Sequence, residues 1–98
     1  MATISERIEN GLIQEGYGNV YTHEDAPGKI YADHTHEMDT AHIVVKGKIE
    51  ITMGEKIYVL EKGDRCDVPA DTAHSAHVSD MGCTYVIGER WEGAQAGK

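Results

Sequence analysis

The sequence predicts an all-β, antiparallel sandwich or barrel preceded by a short N-terminal helix. Three observations predict it: short runs of β-branched and aromatic residues recur along the chain, turn signals separate them, and no helical periodicity lies between them.

The helix comes first. Thr3 and Glu6 have capping-box spacing. Ile4, Ile8 and Leu12 follow at i, i+4 and i+8, on one helical face. Gly11 weakens this helix by about 1 kcal/mol relative to Ala, and Gly16 ends it. The competing reading is an edge strand over Ile8 to Ile13. From Gly18 onward the candidates are strands: Asn19 to Glu24, then Ile30 to His36 after the Ala26-Pro27-Gly28 turn, then Ala41 to Lys46. Gly47 is expected to break that run. Lys48 to Met53 pairs with Lys56 to Leu60 across Gly54-Glu55 in a tight hairpin. The Lys62-Gly63-Asp64 turn precedes Arg65 to Val68, and Pro69 cannot donate to a ladder. Ala73 to Val78 and Thr84 to Arg90 are the last two candidates.

Alternation assigns the faces. His42 and Val44 share one face of their strand, while Ala41, Ile43 and Val45 share the other. Ile57 and Val59 oppose Tyr58 and Leu60 in the same way. Apolar residues on both faces predict a covered outer face. Either the N-terminal helix or a second subunit could supply that cover, and a homodimer is the expectation.

Composition excludes several roles. The chain has 98 residues, and 9 Lys and Arg against 17 Asp and Glu leave it at −8. That balance disfavours nucleic acid or an anionic membrane surface as the main partner. No apolar run approaches the ~20 residues of a membrane helix, and Met1 to Gly11 is too polar for a signal peptide. Two cysteines, Cys66 and Cys83, are too few for a disulfide scaffold. A cytoplasmic protein with one domain over residues 1–98 is expected, helical over 1–16 and β over 18–90.

The informative residues are the six histidines. His34 and His36 are two apart on a candidate strand, so their imidazoles would share a face ~7 Å apart along the chain. His42 lies on the next strand, and His74 follows Pro69-Ala70-Asp71-Thr72. Imidazole suits Zn, Cu, Fe and Ni, and carboxylate or water can complete sites for harder ions such as Mn. His23 and His77 have no partner that the sequence can place and read as surface residues. Cys66 reads as a small buried hydrophobe. Tyr31, Tyr58 and Tyr85 read as packing or interface residues. Trp91 is expected to close a barrel end or join a dimer interface. Glu37 and Asp39 could tune the field near a ligand imidazole.

The wider spacing carries a resemblance. Gly28, five residues, His34-Thr35-His36, three residues, Thr40, six residues, Gly47 is similar to the first motif of the cupin superfamily. Gly63, five residues, Pro69, one residue, Asp71, two residues, His74 resembles the second. The resemblance covers about residues 18–90 and implies a small conical jelly-roll barrel. It also implies a divalent metal held inside by His34 and His36 of the first motif and His74 of the second.

Three positions depart from the cupin pattern: Thr40 stands where the family has its liganding Glu, Asp71 where it has Gly, and Val78 where it has Asn. Three neutral imidazoles would leave a divalent ion at formal +2 and keep more positions open for water or substrate. Asp39 or His42 could replace the missing carboxylate. His42 is expected to line the pocket and to serve as the catalytic acid or base, since an imidazole titrates near neutral pH. The implied function is a metal-dependent enzyme of dioxygenase, isomerase or lyase type acting on a small organic molecule. The alternative is a barrel that binds a small molecule or a metal without turnover.

Overall fold

The computed structural model describes residues 2–91, so the two ends of the expected 1–98 domain lie outside the described residues. Helix α1 spans Ile4–Gln14, and the strands are β1 Asn19–Asp25, β2 Ile30–His34, β3 Asp39–Met53, β4 Lys56–Leu60, β5 Arg65–Val68 and β6 His74–Arg90. All pairings are antiparallel, in the order β1-β6-β3-β4, with β2 on β6 and β5 on β3. The architecture is a jelly-roll barrel, as the resemblance implies.

The helix forms as its cap dictates. Thr3 Oγ1 accepts from the Glu6 amide at 3.1 Å, and Glu6 Oε1 accepts from the Thr3 amide at 2.8 Å. At the other end, Arg90 donates to the Glu15 carbonyl at 3.2 Å and lies over the Tyr17 ring at 4.4 Å. Leu12 and Tyr17 pack with Ala41 and Val86, flanked by Ile8, Val20, Ile43 and Val45. The helix therefore covers the second apolar face of β3. Gly88 permits this close approach, because a Cβ there would meet the Tyr17 ring at 3.0 Å.

Three expected boundaries are corrected. Gly47 does not end a strand, since β3 runs on through it with register shifts on either side. The two runs expected at 73–78 and 84–90 fall, from His74 onward, in one 17-residue strand, β6, rather than two. Both long strands instead bend, β3 at Gly47 (φ 86°) and β6 at Gly82 (φ 76°). The bends touch: a Cβ on Gly47 would collide with the Gly82 carbonyl. Finally, β2 ends at His34, so His36 is not on a strand.

The bends divide the barrel into two walls. The first combines β2, β4, the end of β3 and the start of β6, with Tyr31, Ala76, Ile51 and Tyr58 aligned across its inner face. The second combines β1, β5, the start of β3 and the end of β6, with Tyr21, Ile87, His42 and Cys66 aligned likewise. Between them Val44, Ile49, Ile51, Leu60, Cys66, Val68, Val78, Cys83 and Tyr85 form the core. Cys66 and Tyr58 thus take the packing roles expected of them.

Candidate metal centre

Three imidazoles converge at one end of the space between the walls. Ligand atoms of His34, His36 and His74 all lie within 4.8 Å of one another. Ring centroids are 4.7 Å apart for His34 and His36, 4.2 Å for His34 and His74, and 5.2 Å for His36 and His74. His34 and His74 face each other directly across the β2–β6 ladder.

Backbone carbonyls orient two of the rings. His34 Nδ1 donates to the Ala32 carbonyl at 2.6 Å, and His74 Nδ1 donates to the Thr72 carbonyl at 3.0 Å. Each bond leaves Nε2 bare, the form in which imidazole ligates. His36 reaches the cluster by another route. The Asp71 amide donates to the His36 carbonyl at 2.8 Å, and the Ala70 amide donates to Asp39 Oδ1 at 2.8 Å. These bonds staple the 69–72 turn to the segment after β2. Asp71 adopts a left-handed φ of 61°, a conformation that favours glycine. Burial, followed by the neighbouring charges of His34 and His74, lowers the His36 pKa. Three clustered nitrogen donors, two of them oriented by carbonyls, fit a divalent transition ion.

The cavity beside the cluster has a volume of about 410 Å³. Its lining includes Tyr21, Tyr31, Thr40, His42, Ile49, Ile51, Tyr85, Ile87 and Glu89, with no Lys or Arg among the described residues. His42 lines it as expected but stands outside the group of three. Burial lowers the His42 pKa to about 4, and the Cys66 backbone opposes this only in part. The ring is therefore neutral at pH 7, a hydrogen-bond acceptor or base there rather than an acid. Asp39 is occupied by the Ala70 amide and is also outside that group. Glu37 is exposed. Thr40, at the position where a cupin carries its Glu, is 4% exposed, and its hydroxyl has no partner.

Sequence reasoning missed a second polar group, held by the cavity-lining His23, Tyr31 and Tyr85. Asp25 is 7% exposed. Its Oδ1 accepts from Tyr31 at 2.7 Å and pairs with His23 at 2.8 Å, while its Oδ2 accepts from Tyr85 at 2.7 Å. Burial pushes the Asp25 carboxyl up, but these bonds together outweigh it and hold the pKa below the usual range. Tyr85 is pushed far up by burial and then by the Asp25 charge. His23 is thus corrected from a surface residue to a half-buried partner of Asp25. Tyr31 and Tyr85 are likewise cavity residues as well as packing groups. The signal lay in His23-Glu24-Asp25, where an i, i+2 pair shares a strand face. His77 is exposed, as expected.

Comparison with known proteins agrees with this fold. A family model described as the Cupin domain matches residues 9–87. No curated protein matches the chain. Among solved structures, KdgF from a Halomonas species superposes with a TM-score of 0.62 at 23% identity, over 72% of this chain and 67% of that one. The DMSP lyase DddQ from Ruegeria pomeroyi superposes at 0.69 and 22% identity, over 79% of this chain and 40% of that one. Oxalate decarboxylase from Bacillus subtilis, whose description names Mn(II) centres, superposes at 0.67 and 19% identity, over 76% and 21%. At these identities the likeness establishes the fold.

Proposed function

The chain belongs to the cupin family, and from that premise we propose that it is a metal-dependent enzyme acting on a small organic molecule inside the barrel. The observation that carries this reading is the convergence of His34, His36 and His74, with two of the three rings turned by backbone carbonyls to present Nε2. A divalent transition ion held there supplies Lewis acidity, or redox chemistry if the ion is redox-active. Lyase, isomerase and dioxygenase chemistry all fall within that range. The protein's own part is to bind, orient and exclude water. Ile49, Ile51 and Ile87 give the cavity apolar walls, which strengthen every polar contact made inside. His42, neutral at working pH, would receive a proton from bound substrate, so we assign it as base rather than acid. Thr40 in place of the family's Glu supports the second reading, a barrel that binds without turnover.

The test begins with metal analysis of protein purified without a nickel column. One equivalent in the wild type, lost in His34→Ala with the fold intact, is expected. Metal content that His34→Ala leaves unchanged would overturn the reading. Oxygen uptake or substrate spectroscopy lost in His74→Ala then separates catalysis from binding alone.

The expected homodimer would use the outer face of the first wall. Ile30, His77, Glu50 and Val59 align across it, with Ile57 two residues from Val59. Ile30, Ile57 and Val59 are 68%, 62% and 49% exposed. The His77 and Glu50 pair offers polar groups that a two-fold copy could match. Light scattering that gives a monomer for the wild type would dismiss this dimer.

A further inference from the structure

The second wall carries two buried polar atoms that no close hydrogen bond among the described residues satisfies, although the Cys66 backbone acts on the His42 ring. Thr40 Oγ1 and His42 Nδ1 are the buried side-chain atoms without a hydrogen-bond partner among the described residues. They lie two residues apart on β3, so the pleat turns both side chains to the inner face, and both residues line the cavity. Native proteins leave few such groups, because an unpaired buried donor or acceptor forfeits its hydration. Two of them side by side in a cavity mark a place where something else completes the bonding.

We propose that Thr40 and His42 form a hydroxyl-binding subsite, so that the ligand is a small oxygen compound carrying an alcohol or enol group beside the part that faces the histidine cluster. This inference rests on the metal-dependent reading above.

The chemistry of the pair selects the group. The Thr40 hydroxyl can donate one hydrogen bond and accept others, and a neutral imidazole has one N–H and one bare nitrogen. A ligand hydroxyl satisfies the pair in either His42 tautomer, donating to a bare nitrogen or accepting from an N–H. A carboxylate or phosphate fits poorly. Among the described residues no Lys or Arg lines the cavity, His42 is neutral, and the Glu89 carboxylate lines the same space. An anion at Thr40 and His42 would be desolvated with no cationic Lys or Arg side chain of the lining to offset the cost. A methyl group would leave both polar atoms unpaired. The replacement of the family's Glu by Thr40 thus exchanges a metal ligand for a specificity group.

Matched probes test this by calorimetry on zinc-loaded wild type, Thr40→Val and Thr40→Ser: glycolate against acetate, and 3-hydroxypropionate against propionate. The hydroxylated member is expected to bind about tenfold tighter in the wild type and Thr40→Ser, a single well-placed hydrogen bond's worth. That advantage should vanish in Thr40→Val, with bound zinc unchanged in the same samples. An advantage that persists in Thr40→Val shows that the metal alone reads the hydroxyl and overturns the proposal, as does no advantage in the wild type. If the wild type retains no zinc, the metal reading fails separately. The same titrations on metal-free protein then decide the subsite: a hydroxyl advantage lost in Thr40→Val supports it, and one that persists there or is absent from the wild type overturns it. Thr40→Val is close in shape to Thr, and an unchanged circular dichroism spectrum confirms its fold.

Discussion

The two walls of the barrel treat their polar groups differently. On the first, His34 and His74 anchor one nitrogen each to a carbonyl and present the other. On the second, Thr40 Oγ1 and His42 Nδ1 are buried and unpaired at the cavity. Farther down the second wall the pattern reverses again, because Asp25 is fully engaged by Tyr31, Tyr85 and His23. A satisfied group is held in place by the fold itself. An unsatisfied one carries a stability cost that a ligand can remove. The contrast separates groups that are pre-positioned from groups that await a partner.

The largest effect is expected from breaking the saturated end. Asp25→Ala removes an acceptor shared by two tyrosines and strands their hydroxyls, costing about 3 kcal/mol. Thermal denaturation should show a drop of roughly 15 °C for a domain of this size. A drop of under about 3 °C would mean that the network carries little.

Nearly as large is the pH effect at His42. Its folded pKa is lowered to about 4, whereas an unperturbed imidazole titrates near ~6.5. Between these values the unfolded chain binds the proton and the folded protein does not. Stability is therefore complete above about pH 6.5 and falls as the pH drops toward 4, by up to about 3 kcal/mol. His42→Gln should flatten that portion of a urea-denaturation series, and an equal slope in both proteins would assign the effect elsewhere.

A smaller change is expected at the loop staple. Asp39→Ala removes the acceptor of the Ala70 amide and loosens the segment that carries His36. Metal affinity should fall by about tenfold, as for other outer partners of ligating side chains. Competition with a chelator measures it, and unaltered affinity would limit Asp39 to a structural role.

The smallest effect has the opposite sign. Thr40→Val removes an unpaired buried hydroxyl and should raise the stability of the unliganded protein by about 1 kcal/mol. Unfolding in urea checks the sign, and destabilisation of that size would show that the hydroxyl is already satisfied, by water for instance.

The helix, the Lys48 to Leu60 hairpin and the inner and outer faces of β3 could be read from the sequence, because each follows from local spacing. Thr3 and Glu6 announced the cap, and alternation around His42 announced the faces. The continuity of β3 and β6 could not be read that way. Gly47 and Gly82 look like breaks in isolation and become bends only when the two strands press on each other. His36 shows the same limit. Its strand ends two residues earlier, and its position comes from amides at Ala70 and Asp71, more than thirty residues away in the chain.

The sequence by itself determined the β-rich class, the capped helix and which histidines were worth bringing together, since periodicity and motif spacing are properties of the chain alone. Only the tertiary structure decided that Asp39 is spent on a backbone amide, that His42 is held neutral, and that Thr40 ends with an unpaired hydroxyl. Hydrogen-bond satisfaction and desolvation depend on what lies across the cavity, and no local stretch of sequence contains that neighbour.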